Sequence, residues 1–298
     1  MKRTVYAFAP PTSTSTDSFV KTMEFHGIGI IARQELIINI RNRWVLLFAI
    51  IFGVLVLTIS YFGLVTAGAI GFHGFARTSA SLLNFVLYVI PLVSLIMGTQ
   101  SFTSEKSTNE LLFSQPVTRT EILLGKLAGL FASMFVATLI GFGLAGLVIA
   151  IRAGTAGSLR YPAFVGLSLV LTFIFLSLSV LVSVFCQRRP VAYGFSLFVW
   201  FFFVLFYDLI VIGGTFLLPE RAANRFLFLS LLGNPVGMVR VASLIILDGK
   251  EIFGAAGAAL LRFFGGEVAS IVFLLAGLLV WLWVPVWLAQ SVLKRQDI

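Results

Sequence analysis

Six long apolar runs, parted by short polar stretches, dominate the chain: Trp44 to Thr66, Ser81 to Thr99, Leu127 to Ile151, Ala163 to Cys186, Val191 to Leu218 and Val268 to Leu293. Runs of roughly 18 apolar residues or more are membrane-helix candidates. At about 1.5 Å of rise per residue, Ala163 to Cys186 is about 36 Å long, enough to cross ~30 Å of hydrocarbon with some tilt. The pattern therefore predicts an all-α, polytopic membrane protein with six transmembrane helices. An even number of crossings puts both termini on one side.

Two segments break the simple pattern. In "IIARQELIINIRNRW", Ile30 to Trp44, helical spacing sets Glu35, Asn39, Asn42 and Arg43 on one face and Leu36, Ile37, Ile40 and Trp44 on the other. This predicts an amphipathic elbow helix along the membrane interface before the first span, carrying Arg33, Glu35, Arg41 and Arg43. Between the fifth and sixth runs, "RFLFLSLLGNPVGMVRVASLIIL" and "EIFGAAGAALLRFF" are apolar but too short or too interrupted to cross cleanly. Such segments lie in the interface or dip in and return. Residues 1–25 carry Lys2, Arg3, Pro10, Pro11 and a Ser/Thr run without the apolar core of a signal peptide, and are expected to be a disordered tail. Residues 26–298 are then one membrane domain.

Between the second and third runs lies "TSEKSTNELLFSQPVTRTEILLGK", residues 103–126. Ser107 with Glu110, and Thr118 with Glu121, each fit the S/T-x-x-E capping box that answers the free amides of a helix start. Two helix starts follow from this. The first helix is brief, because Pro116 lacks the amide that a continuing helix needs and disfavours helical geometry at Gln115. It would present Leu111, Leu112 and Phe113 to the cytosol or fold them back on the membrane surface.

Composition agrees with the pattern: 59% of the 298 residues are hydrophobic and 11% charged, with a formal net charge of +9. The larger share of the 21 Lys and Arg residues lies on the side of the termini, which by the positive-inside rule is cytoplasmic. The basic excess thus reads as membrane topology and lipid contact, with no call for nucleic acid.

Chemistry-bearing residues are sparse. One cysteine, Cys186, and two distant histidines, His26 and His73, offer no metal cluster. Met97, Met134 and Cys186 could serve as soft copper ligands, but membrane methionines are more often packing. Asp208 is the one ionisable residue well inside a run, where a lone carboxylate costs about 2.5–3.5 kcal/mol. It calls for a partner or water, either as a transmitting element or as a brace to a neighbouring helix. Gly125 with Gly129, and Gly141 with Ala145, have the small-x-x-x-small spacing of close helix packing. Gly125 and Lys126 approach a phosphate-binding loop, but Thr120 and Leu127 stand where that motif needs Gly and Ser/Thr, so ATP must bind elsewhere.

The elbow segment "ARQELIINIRNRW", the loop "NELLFSQPVTRTEILLGK" and the large outer loop before the last span resemble ABC-2 type transporter permeases. "FYDLIV" at 206–211 and "NPVGMVR" at 234–240 resemble the NosY-type subgroup, which serves nitrous oxide reductase maturation. One departure is Ser107, where the loop motif more usually has glycine. The resemblance covers Ile30 to the carboxyl end. It implies a non-catalytic subunit in the cell membrane, with both termini cytoplasmic, that pairs with a second copy of itself and is driven by a separate ATPase chain holding ATP and Mg. It implies re-entrant outer helices between spans five and six. It further implies ATPase contact through the elbow helix and the first cytoplasmic loop, whose candidates are Glu105, Glu110, Leu111, Leu112, Phe113, Pro116 and Arg119. An outer maturation protein is a further expected partner, and assembly of a copper–sulfur centre the expected task. An exporter of drugs, lipids or polysaccharides, a stand-alone secondary transporter, and a membrane enzyme are the competing readings. The scarcity of intramembrane polar groups weighs against the last two.

Overall fold

The computed structural model describes residues 13–66, 72–103, 118–153, 160–186, 188–247, 260–261 and 263–295. Among these the secondary structure is helical: α1 Ser13–Ile40, α2 Arg43–Thr66, α3 Phe72–Thr103, α4 Arg119–Ala153 and α5 Tyr161–Phe185 come first. They are followed by α6 Arg189–Phe201, a π-helical segment Phe202–Phe206, α7 Tyr207–Leu217, α8 Glu220–Leu232, α9 Pro235–Ile246 and α10 Glu267–Arg295. Six stretches are long and apolar enough to cross a bilayer: Val45–Phe62, Ser81–Thr103, Thr120–Leu147, Tyr161–Phe185, Arg189–Leu217 and Glu267–Leu293. These are the six spans that the hydropathy pattern predicts.

One boundary differs from the sequence reading. Helix α1 reaches back to Ser13, so part of the stretch expected to be a tail is helical; residues 1–12 lie outside the described residues. After Pro11 the sequence contains no proline until Pro91, and nothing in Ser13 to His26 breaks a helix. Between α8 and α9 the chain bends by 105°, as in a broken span or a re-entrant loop and as the interrupted apolar pattern there predicts. Asn234 stops α8 and starts α9: it is extended, its side chain accepts from Val236 N at 3.0 Å, and Pro235 follows at the first helical position.

Helix α5 is the axis of the bundle. Its span is 72% buried, against 11% for the fifth span and 22% for the sixth. It packs on α3, α10, α4 and α9. Its polar residues face inward without cost, because Ser168, Thr172, Ser177 and Ser183 donate to carbonyls four residues back.

The elbow helix sits on α4 through the glycine pair noted in the sequence. A Cβ on Gly129 would stand 2.5 Å from Ala32 O and 2.6 Å from Glu35 Cβ, and one on Gly125 2.7 Å from Ile31 Cβ. Only glycine permits this approach. The substitution Gly129→Leu is expected to lift α1 from α4 at a cost of about 1–3 kcal/mol, read as a lower midpoint of thermal unfolding in detergent. Gly143→Leu, whose Cβ meets nothing within 4 Å, should leave the midpoint unchanged.

Candidate functional site

Two polar junctions interrupt the apolar body. The first forms where α1, α3 and α4 meet, on the side of the membrane that holds the elbow. Glu35 and Asn39 are 7% and 4% exposed, whereas Ile37, Ile38 and Ile40 are 47%, 53% and 45% exposed. Glu35 and Asn39 of the elbow's polar face are therefore turned into the protein, and Ile37, Ile38 and Ile40 outward. Asn39 Nδ2 and Ser101 Oγ donate to Glu35 Oε1 at 2.8 and 2.7 Å, tying the elbow to the end of α3. Lys126 of α4, also buried, donates to Ser101 O at 3.2 Å and lies over the Phe102 ring. One serine thus joins three helices.

Thr118 and Glu121 form the capping box at the start of α4: Thr118 N donates to Glu121 Oε2 at 2.7 Å and Glu121 N to Thr118 Oγ1 at 3.3 Å. This is the second of the two helix starts expected between the second and third spans. Glu105, Glu110, Leu111, Leu112, Phe113 and Pro116, expected to meet an ATPase, lie outside the described residues, as does Ser107. Arg119 is the first residue of α4. Arg33, Arg41 and Arg43 are exposed and open to a partner, but Glu35 is not, because it is buried with Oε1 bonded inside the chain.

The second junction lies toward the other end of the fifth span. Asp208 Oδ2 accepts from Arg240 Nη1 at 2.7 Å, an ion pair between α7 and the outer helix α9. The partner that Asp208 required thus comes from the interrupted apolar segment between the fifth and sixth spans. The backbone beside it is rearranged. In a regular helix Tyr207 N would donate to Phe203 O; in the π-helical segment it donates to Phe202 O instead. Phe203 O accepts Asn234 Nδ2 at 3.0 Å, so the outer turn holds the irregular carbonyl. Tyr207 Oη donates to Ser230 O at 2.6 Å across Gly233, where any Cβ would strike the tyrosine hydroxyl. Trp281 Nε1 of α10 donates to Leu232 O at 2.8 Å and holds the same turn from the other side.

Arg240, Ser101 and Lys126 escaped the sequence reading. A lone arginine in the apolar "NPVGMVRVASLII" was the available signal for Arg240, as the complement of a lone aspartate in a span. For Ser101 and Lys126 the signal was weaker, both being ordinary at a span end. Met97 and Met134 lie buried in the apolar core, and among the described residues no three His, Cys, Asp or Glu side chains come together as a metal site.

A bundle of six spans, an amphipathic elbow locked to spans two and three, and a sharply bent outer pair before the last span define a transporter membrane subunit. Residues 30–298 match the ABC-2 family transporter protein family, and the chain belongs to that family. It is 34% identical over 279 residues to the probable ABC transporter permease protein NosY of Pseudomonas aeruginosa, covering 90% of this chain and 98% of that protein. A protein of the same name from Stutzerimonas stutzeri is also 34% identical, over 272 residues, covering 89% of this chain and 97% of the relative.

Asp208→Asn leaves Arg240 without its counter-charge and is expected to lower the unfolding midpoint. The exchange Asp208→Arg with Arg240→Asp should recover more than half of that loss, as measured by a double-mutant cycle. Since the two side chains are 37% and 28% exposed, the coupling should fall below the ~3–5 kcal/mol of fully buried pairs.

Proposed function

We propose that this chain is the membrane subunit of an ABC transporter whose ATP is hydrolysed by a separate chain, and that it serves assembly of the copper–sulfur centre of nitrous oxide reductase outside the cytoplasm. The observation that carries the reading is the 34% identity to two NosY permeases, over 90% and 89% of this chain. Two copies of the chain pair, and the fifth and sixth spans, little buried within one copy, are the surfaces left for lipid or that second copy. Both termini are cytoplasmic, and the re-entrant pair faces an outer maturation protein.

The geometry supports a mechanical role. Residues 104–117 join α3 to α4, the two helices to which the elbow is also tied through Ser101 and Gly129. A push on either cytosolic element reaches the same two spans. Helix α3 passes it to the buried α5, and through Thr99 Oγ1 to Ser196 Oγ, 2.6 Å apart, to the fifth span. At the far end, the Asp208–Arg240 pair and Asn234 carry the displacement of that span to the outer helices. Stiff helices with discrete contacts transmit such motion as rigid bodies.

Two experiments separate the layers of the reading. Tagged chain co-expressed with its ATPase should retain the ATPase through purification, and Leu111→Asp with Leu112→Asp should lose it while still inserting in the membrane. Full retention by the double variant would refute the coupling role. Deletion of the gene should leave nitrous oxide reductase deficient in copper, restored by the intact gene. A fully metallated reductase in the deletion strain would remove the assigned task and leave the coupling role standing.

A further inference from the structure

A cavity of about 150 Å³ opens between the end of α1 and the end of α3. Its wall is mixed, with Glu35, Ile38, Asn39 and Asn42 on one side and Met97, Gln100 and Ser101 on the other. Both side-chain hydrogen bonds to the Glu35 carboxylate end on Oε1; among the described residues Oε2 accepts none. A carboxylate 7% exposed, with one oxygen unanswered on a cavity of this size, is a half-made binding site for a cation. Lys126 is buried but is not part of the wall; it donates to Ser101 O and lies over the Phe102 ring.

The donor set selects the kind of cation. Calcium and magnesium take six or more hard oxygen ligands, usually with several carboxylates, and here there is one carboxylate among neutral amides, a hydroxyl and a thioether. A primary ammonium carries one charge and three N–H donors, which suit the Glu35 carboxylate oxygen and the amide oxygen of Asn39. The space, about ten times the minimum for one water, admits the four heavy atoms of an ethanolammonium group.

The surroundings select its source. Beside the cavity, α1 presents Ile37, Ile38 and Ile40 outward at the edge of the membrane. Arg41 and Arg43, on either side of the lining residue Asn42, are exposed. A buried carboxylate, exposed guanidinium groups and an aliphatic flank complement an ammonium, a phosphate and acyl chains in turn. We propose that this cavity binds the headgroup of phosphatidylethanolamine, with its ammonium on Glu35 and its phosphate beside Arg41 and Arg43. The lipid then braces the elbow against α3, and the driven end of the protein responds to the aminophospholipid content of the membrane.

The test is headgroup retention. The chain is placed in nanodiscs holding equal amounts of phosphatidylethanolamine and phosphatidylcholine with matched acyl chains, and the lipids left on the released protein are identified by native mass spectrometry. Because a trimethylated nitrogen has no N–H to give, the wild type should keep phosphatidylethanolamine over phosphatidylcholine by about fivefold or more, with mono- and dimethylated headgroups between them. Glu35→Gln should bring the ratio to about one, as should Ile38→Trp, which fills the cavity from its wall and leaves the Glu35 carboxylate in place. Equal retention by the wild type overturns the proposal, and so does a preference that survives both variants. Displacement by millimolar ethanolamine would assign the cavity to a free amine and overturn the lipid assignment. A preference for phosphatidylglycerol that depends on Arg41 and not on Glu35 would reduce the site to ordinary surface attraction and overturn it likewise.

Discussion

Within hydrocarbon no water answers a polar group, so one that the chain carries into the membrane is costly unless the chain itself answers it. That constraint shapes every irregular feature of this protein. Along α5 the hydroxyls bond to carbonyls of their own helix, which lets a polar stripe lie inside the bundle. Where the demand is larger than one helix can meet, helices are drawn together. Asp208 draws Arg240 from the outer pair, and the π-helical segment draws Asn234. Glu35 draws Ser101, and with Asn39 it turns inward from the elbow.

The two junctions lie at opposite ends of one apolar body and have the same construction. In each, a short amphipathic element outside the main spans is pinned to a span end by a carboxylate or an amide. In each, a glycine removes the side chain that would hold the backbones apart: Gly129 under the elbow and Gly233 under Tyr207. Between them the packing is apolar and aromatic, with Phe52, Phe142, Phe164 and Tyr161 in edge contacts around α2, α4 and α5. A close-packed interior of this kind deforms little and passes displacement between its ends. The proposed role, driven from one side and acting on the other, calls for such a body.

Much of this was legible in the chain. The six spans follow from apolar runs, the start of α4 from Thr118 and Glu121, the break before the last span from its interrupted apolar segments, and the closeness of α4 to a neighbour from Gly125 and Gly129. Each is a local pattern, settled within a few turns of helix. Which helix filled the glycine groove was not legible, because small residues state that something approaches and not what approaches. The candidate ATPase-contact residues between α3 and α4 rest on the sequence alone.

The sequence by itself determined that the chain lives in a bilayer, how often it crosses, and that Asp208 must be answered, since transfer into hydrocarbon is a sum over neighbouring side chains. Only the tertiary structure decided who answers. Arg240 lies 32 positions from Asp208 and Ser101 lies 66 from Glu35. Amphipathic spacing divides a helix into two faces without saying which is inside, because in lipid the apolar face can turn outward. The inward turn of Glu35 and Asn39 depends on partners that only folding brings within hydrogen-bond reach.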